Sequence, residues 1–124
     1  MRKSILATLI ALSACACQSE KKIPGFDSAS WKSDKKGCDG IRLQQADSLI
    51  KYRNEVKGMT VDQVQKVMGL PNSSELIRRD QQYYIYTLSP AKTCPNFKKG
   101  GKKLSLRLRF NSIGTVNELT ITSR

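Results

Sequence analysis

The apolar positions of this chain follow two different periods. Residues 103–110 read KLSLRLRF. Leu104, Leu106, Leu108 and Phe110 alternate there with Lys103, Ser105, Arg107 and Arg109, so an extended strand would be apolar on one side and polar on the other. Such alternation belongs to an antiparallel sheet with one face buried and one face wet. Residues 82–88 (QYYIYTL) are aromatic and β-branched and predict a second strand, and residues 75–78 predict a short one. Asn111, Ser112, Ile113 and Gly114 mark a turn, and residues 115–122 predict a closing strand. Val116 and Leu119 differ in parity within it, which predicts a bulge near Asn117 or Glu118.

Upstream of residue 70 the period is helical. Over residues 41–53, Leu43, Ala46, Leu49 and Ile50 fall on one helical face, and no Pro or Gly interrupts. A second, short helix is predicted over 61–68 by the stripe Val61, Val64, Val67 and Met68. Thr60 and Gln63 form a capping-box pattern at its start. Asp62 lies in its first turn, where a negative charge suits the helix dipole. Gly69 suits its exit, and Pro71 prevents continuation. Consecutive strands pair antiparallel, and their apolar face needs cover, which the helices supply. The expected fold is therefore α+β: a two-layer sandwich over residues 38–124, two N-terminal helices packed on a three- or four-stranded antiparallel sheet.

The first residues carry an address. Arg2 and Lys3 precede an apolar run over 5–12 that is too short to span a bilayer, which needs ~20 residues, and fits a secretory signal. Leu12, Ser13, Ala14 and Cys15 resemble a bacterial lipobox, with small side chains beside the scissile bond and a thiol to take the lipid. The expectation is a lipoprotein signal over 1–14 and lipidation at Cys15; Cys17 is the weaker candidate. Ala16, where an Asp would mark inner-membrane retention, implies the outer membrane. The single acid in residues 18–22 favours the periplasmic face. Residues 15–37 then read as a lipidated tether, with the alternative that Phe26 and Trp31 dock on the domain as an arm.

In an exported chain Cys38 and Cys94, both in loop contexts, are expected to form a disulfide. The absence of histidine removes Ser-His-Asp and Cys-His systems and imidazole zinc sites. No CxxC pair is present, the ten acids show no pairing in sequence, and there is no Gly-rich phosphate loop. No catalytic residue, metal site or cofactor is assigned. With 39% apolar and 26% charged residues the composition is that of a globular protein. The net charge is +12, two units of which, Arg2 and Lys3, leave with the signal. No acid occurs between Asp80 and Glu118, yet Lys92, Lys98, Lys99, Lys102, Lys103, Arg107 and Arg109 do. Arg107 and Arg109 share the open sheet face with Tyr83. Guanidinium groups suit carboxylates and phosphates, so these three residues are the candidate partner-binding site. In the periplasm, nucleic acid is not the expected client, and no small-molecule substrate is inferred.

The segment from Gly58 to Pro71, GMTVDQVQKVMGLP, resembles the signature of the SmpA/OmlA (BamE-like) family of small outer-membrane lipoproteins. The strand with Tyr84 and Tyr86 and the segment FNSIGTV from Phe110 to Val116 match its later parts. The Tyr-x-Pro-Asp-type segment that the family's assembly-machinery member carries before the helix has no counterpart here, nor are Cys38 and Cys94 part of that pattern. The resemblance implies a non-enzymatic, periplasm-facing accessory scaffold that is lipid-anchored in the outer membrane. It would bind an acidic envelope protein, in barrel assembly. An envelope inhibitor or binding module on the same fold, and a binder of anionic lipid headgroups, are the alternatives.

Overall fold

The computed structural model describes residues 21–90, 92 and 94–123. The expected signal, Cys15 and Cys17 lie outside the described residues. The first element is one the apolar pattern did not predict. Helix α1 (Ser28–Ser33) starts where the Asp27 carboxylate accepts from Ser30 N at 3.1 Å. Hydrogen bonds from the Ser30 side chain and backbone hold that carboxyl below its usual pKa. The helix is a turn and a half long, and it places Trp31, which is fully buried. Ile23 belongs to the same core, and Phe26 packs on it with its ring 5.4 Å from the Trp31 indole. The expected tether over 15–37 is corrected accordingly: from Ile23 onward the chain is docked, because an indole buried in the core is removed from water at a gain no tether offers.

Helix α2 (Ile41–Lys51) begins at Gly40, which has a left-handed conformation and no side chain with which to cap. Asp34 does that work from the preceding loop. Its buried carboxylate accepts from the backbone N–H of Asp39, just before the helix, and of Arg42, both at 3.1 Å, and so satisfies one of the free donors of the first turn. Of the apolar stripe expected on this helix, Ala46 and Leu49 are buried and Ile50 packs beside the core, but Leu43 is not on the buried side: it is 39% exposed, whereas Arg42 is buried. The guanidinium of Arg42 lies 5.0 Å from the Trp31 ring and 5.7 Å from the Tyr86 ring, between two aromatic faces that favour a cation. The expected single helix to 53 breaks at Tyr52, and a short turn α3 (Arg53–Val56) brings Val56 into the core.

Helix α4 (Val61–Met68) has the predicted bounds and cap. Gln63 N donates to Thr60 Oγ1 at 3.2 Å, and Thr60 N donates to Gln63 Oε1 at 2.9 Å. Val64 and Met68 are buried, with Val61 and Val67 packed beside them. Gly69 ends the helix at φ 76°, ψ −173°, a region that only glycine enters without strain. A helix of eight residues is marginal alone, so its cap matters. Thr60→Ala should cost about 1 kcal/mol, read as a lowered midpoint in urea unfolding with an unchanged slope.

Four strands follow: β1 (Ser73–Ile77), β2 (Gln81–Thr87), β3 (Leu104–Phe110) and β4 (Val116–Ser123). They form one antiparallel sheet in the order β1-β2-β3-β4. The bulge falls where parity required it: Arg109 pairs with Glu118 and Phe110 with Val116, leaving Asn117 as the extra residue. Leu106, Leu108 and Phe110 join Tyr84, Tyr86, Leu88, Val116 and Leu119 on the inner face, against Trp31, Leu49, Val56, Met59, Val64 and Met68. The α3–α4 connection is tied to the sheet by Gly58 N donating to Val116 O and Val116 N to Met59 O. The protein is thus a two-layer α+β fold with helices on one face of a four-stranded antiparallel sheet. It contains two more helical turns than the two helices expected.

Cys38 and Cys94 form a disulfide with Cα atoms 5.5 Å apart, 56 positions apart in the chain. Gly37 sits beside it at φ 68°. A Cβ there would come within 3.0–3.1 Å of the backbone of Thr87, Leu88 and Ser89, so the loop can approach the end of β2 only because this residue is glycine. Asn96 Nδ2 donates to Cys38 O at 2.8 Å across the same junction.

Candidate interface on the open sheet face

The outer face of the sheet is built from the polar half of each alternating strand. Cross-strand pairing sets Glu75 opposite Tyr83, Tyr83 opposite Arg109, and Arg109 opposite Glu118. One step along, Ser73, Ile85, Arg107 and Thr120 form a parallel row. Tyr83, Arg107 and Arg109, the residues singled out from the sequence, are therefore on one surface. The Arg107 guanidinium lies 4.3 Å from the centre of the Tyr83 ring, a stacking distance.

Sequence reading missed the acids that join them. Arg107 Nη2 is 3.0 Å from Glu75 Oε2, and Arg109 Nη1 is 3.7 Å from Glu118 Oε2. Gln81 Oε1 accepts from Arg109 Nε at 3.1 Å and from Nη2 at 2.6 Å. The face is consequently not a bare basic surface. Two guanidinium groups on β3 are flanked by a carboxylate on β1 and another on β4, with an aromatic ring and an amide beside them. The acid-free run from 81 to 117 concealed this, because Glu75 arrives from β1 and Glu118 from β4. The register of β3 against β4 was the one signal that could have placed Glu118 beside Arg109. Arg107 Nε is buried and has no acceptor among the described residues.

All four charged groups are partly exposed, with side-chain exposures from 25% to 49%. Pairs of this kind contribute at most ~1 kcal/mol each, so a competing partner can exchange them at little cost. The loop lysines Lys92, Lys98, Lys99, Lys102 and Lys103 are exposed at the end of the sheet near the disulfide. Among the described residues no three His, Cys, Asp or Glu side chains lie close enough to hold a metal ion, and no helix is long and apolar enough to cross a membrane.

Residues 54–119 match the family model described as the outer membrane protein assembly factor BamE domain. That stretch takes in α4, all of α3 but Arg53, and most of the sheet, and leaves α1 and α2 outside. No curated protein sequence matches the chain. Among solved structures, one described as a putative osmotically inducible lipoprotein OsmE is 21% identical to it, with a TM-score of 0.39, covering 60% of this chain and 84% of that one. With the family model spanning more than half of the sequence, over the capped helix and the sheet it packs on, the chain belongs to the BamE family.

Proposed function

We propose that this protein is a non-enzymatic outer-membrane lipoprotein, held by acyl chains on Cys15 and facing the periplasm, that serves as an accessory scaffold in β-barrel assembly. The open sheet face around Tyr83, Arg107 and Arg109 would receive an acidic surface of a partner protein. The observation that carries the reading is membership of a family described by outer-membrane protein assembly. The stacked and paired guanidinium groups add to it. They hold two cations in fixed orientation on an uncovered face, ready to exchange Glu75 and Glu118 for carboxylates of a partner.

The test is co-purification from detergent-solubilised envelopes at low and high salt. Wild type should retain barrel-assembly subunits at low salt and release them as salt screens the contact. Arg107→Gln with Arg109→Gln should weaken retention at least tenfold while lowering stability by no more than ~1 kcal/mol for each lost pair. Neutral substitutions are the cleaner choice, since Glu at either position would be set against Glu75 or Glu118. Recovery of a hydrolase would instead indicate an inhibitor, and recovery of phospholipid alone a headgroup binder. Retention of assembly subunits by the double variant as tightly as by wild type would sink the open-face reading. A mature protein with an unmodified Cys15 would sink the anchor.

A further inference from the structure

We propose that a cleft floored by Arg42 receives a carboxylate from an extended acidic segment of a partner protein, lying along the free edge of β1. The cleft is on the helix side of the sheet, and the proposal shares with the open-face reading only the premise of an acidic partner.

Three observations converge on it. The first is the electrostatics of Arg42. Its side chain is only 2% exposed, yet among the described residues no carboxylate comes within ion-pair distance of it. Its acceptors are neutral: Nε donates to Trp31 O at 3.0 Å, and Nη1 donates to Lys35 O at 3.2 Å and to Asn72 Oδ1 at 2.8 Å. Asp34, the buried acid of the same loop, spends its two oxygens on the backbone N–H groups of Asp39 and Arg42. Burial pushes the Arg42 pKa down, against the charged form, and the nearby charge of Asp34 opposes this only in part. An incompletely compensated buried charge is costly, and a bound carboxylate would offset that cost.

The second is the cleft itself. It has a volume of about 350 Å³ and is open on one side, with Arg42 in its lining. Lys32 and Lys35 add positive charge at its wall, Met68, Leu70 and Pro71 make an apolar lip, and no acid lines it. Leu70 is 75% exposed. The lining therefore suits a ligand that carries an anionic group beside an apolar one.

The third is what lies next to it. Asn72, which anchors Arg42, is followed at once by β1. That strand pairs with β2 on one side only, and all five of its residues are exposed. Leu76 within it is 86% exposed. An unpaired strand edge binds extended backbone. An edge that leads directly into a cationic cleft favours a peptide over a lipid headgroup, which has no use for backbone N–H and C=O groups.

The experiment uses the ¹⁵N-labelled protein and two acetylated hexapeptides, Val-Glu-Leu-Glu-Val-Glu and its Gln-for-Glu counterpart. The acidic peptide should shift the β1 amides and the Arg42 Nε–H resonance, and the Gln peptide should bind at least tenfold more weakly. Because Arg42 is buried, the test substitutions are on exposed positions. Lys35→Glu with Leu70→Glu should weaken the acidic peptide at least tenfold and leave the rest of the spectrum unchanged. The proposal is overturned by any of four results: equal binding of the two peptides, no shifts at millimolar peptide, unaltered affinity in the double variant, or shifts centred on Arg107 and Arg109. The last would leave the open-face reading standing. Phosphatidylglycerol vesicles that perturb the cleft when the acidic peptide does not would also overturn it, and would assign the cleft to lipid.

Discussion

Trp31→Ala should lower the unfolding free energy by about 3–5 kcal/mol, the range for truncating a buried tryptophan. The indole is fully buried and packs against three large groups. Phe26 lies 5.4 Å from it, Tyr86 5.9 Å, and the Arg42 guanidinium 5.0 Å. Removing it opens a cavity at the junction of α1, α2 and β2 and takes one aromatic wall from a buried cation. The loss should therefore exceed what the missing area alone predicts. Urea unfolding followed by circular dichroism checks it, with the slope unchanged if the whole domain still unfolds as one unit. A loss below about 1 kcal/mol would mean that residues 23–37 are a tether after all and contribute nothing to the core.

Opening the Cys38–Cys94 disulfide should cost about 4 kcal/mol in the chain-entropy account, given the 56-position separation. Cys38→Ser, Cys94→Ser and the double variant should then be equally destabilised, since each removes the same constraint. Wild type unfolded with a reductant present should match them. The native side has its own stake in the bridge. It holds the loop of Gly37 against the end of β2 and keeps Asn96 within reach of Cys38 O. Asp34, in the same loop, caps α2 and so depends on that position. Reduction should accordingly speed amide exchange in the first turn of α2 as well as in the loop around Cys94. Finding both thiols open to alkylation in denatured, unreduced protein would refute the bridge.

Those two expectations mark the boundary of what the residue pattern reveals. Local signals were legible wherever a periodicity and a cap agreed. Thr60, Gln63, Gly69 and Pro71 bracket α4 at its observed bounds, because capping and termination are contacts within a few residues. The strict alternation of residues 103–110 announced β3 and its two faces, and the parity of Val116 and Leu119 announced the bulge at Asn117. Helix α1 was hidden by its length. Six residues carry too few apolar positions for a period, although Asp27 before Ser28 and Ser30 was a cap in plain view.

The sequence alone determined the fold class, the family and the placement of Tyr83, Arg107 and Arg109 on one sheet face. Each of these depends on short-range periods and motifs that any register of the tertiary structure must respect. Only the tertiary structure decided what surrounds those groups. Glu75 and Glu118 pair with Arg107 and Arg109, two cations of the acid-free run, since strands 1 and 4 approach strands 2 and 3 from parts of the chain that no local count includes. The exchange of Leu43 for Arg42 on the buried side of α2 has the same origin. A guanidinium enters a core only when distant aromatic rings and carbonyls are already arranged to receive it. Trp31, Tyr86, Lys35 and Asn72 meet around Arg42 only once the helices are packed on the sheet.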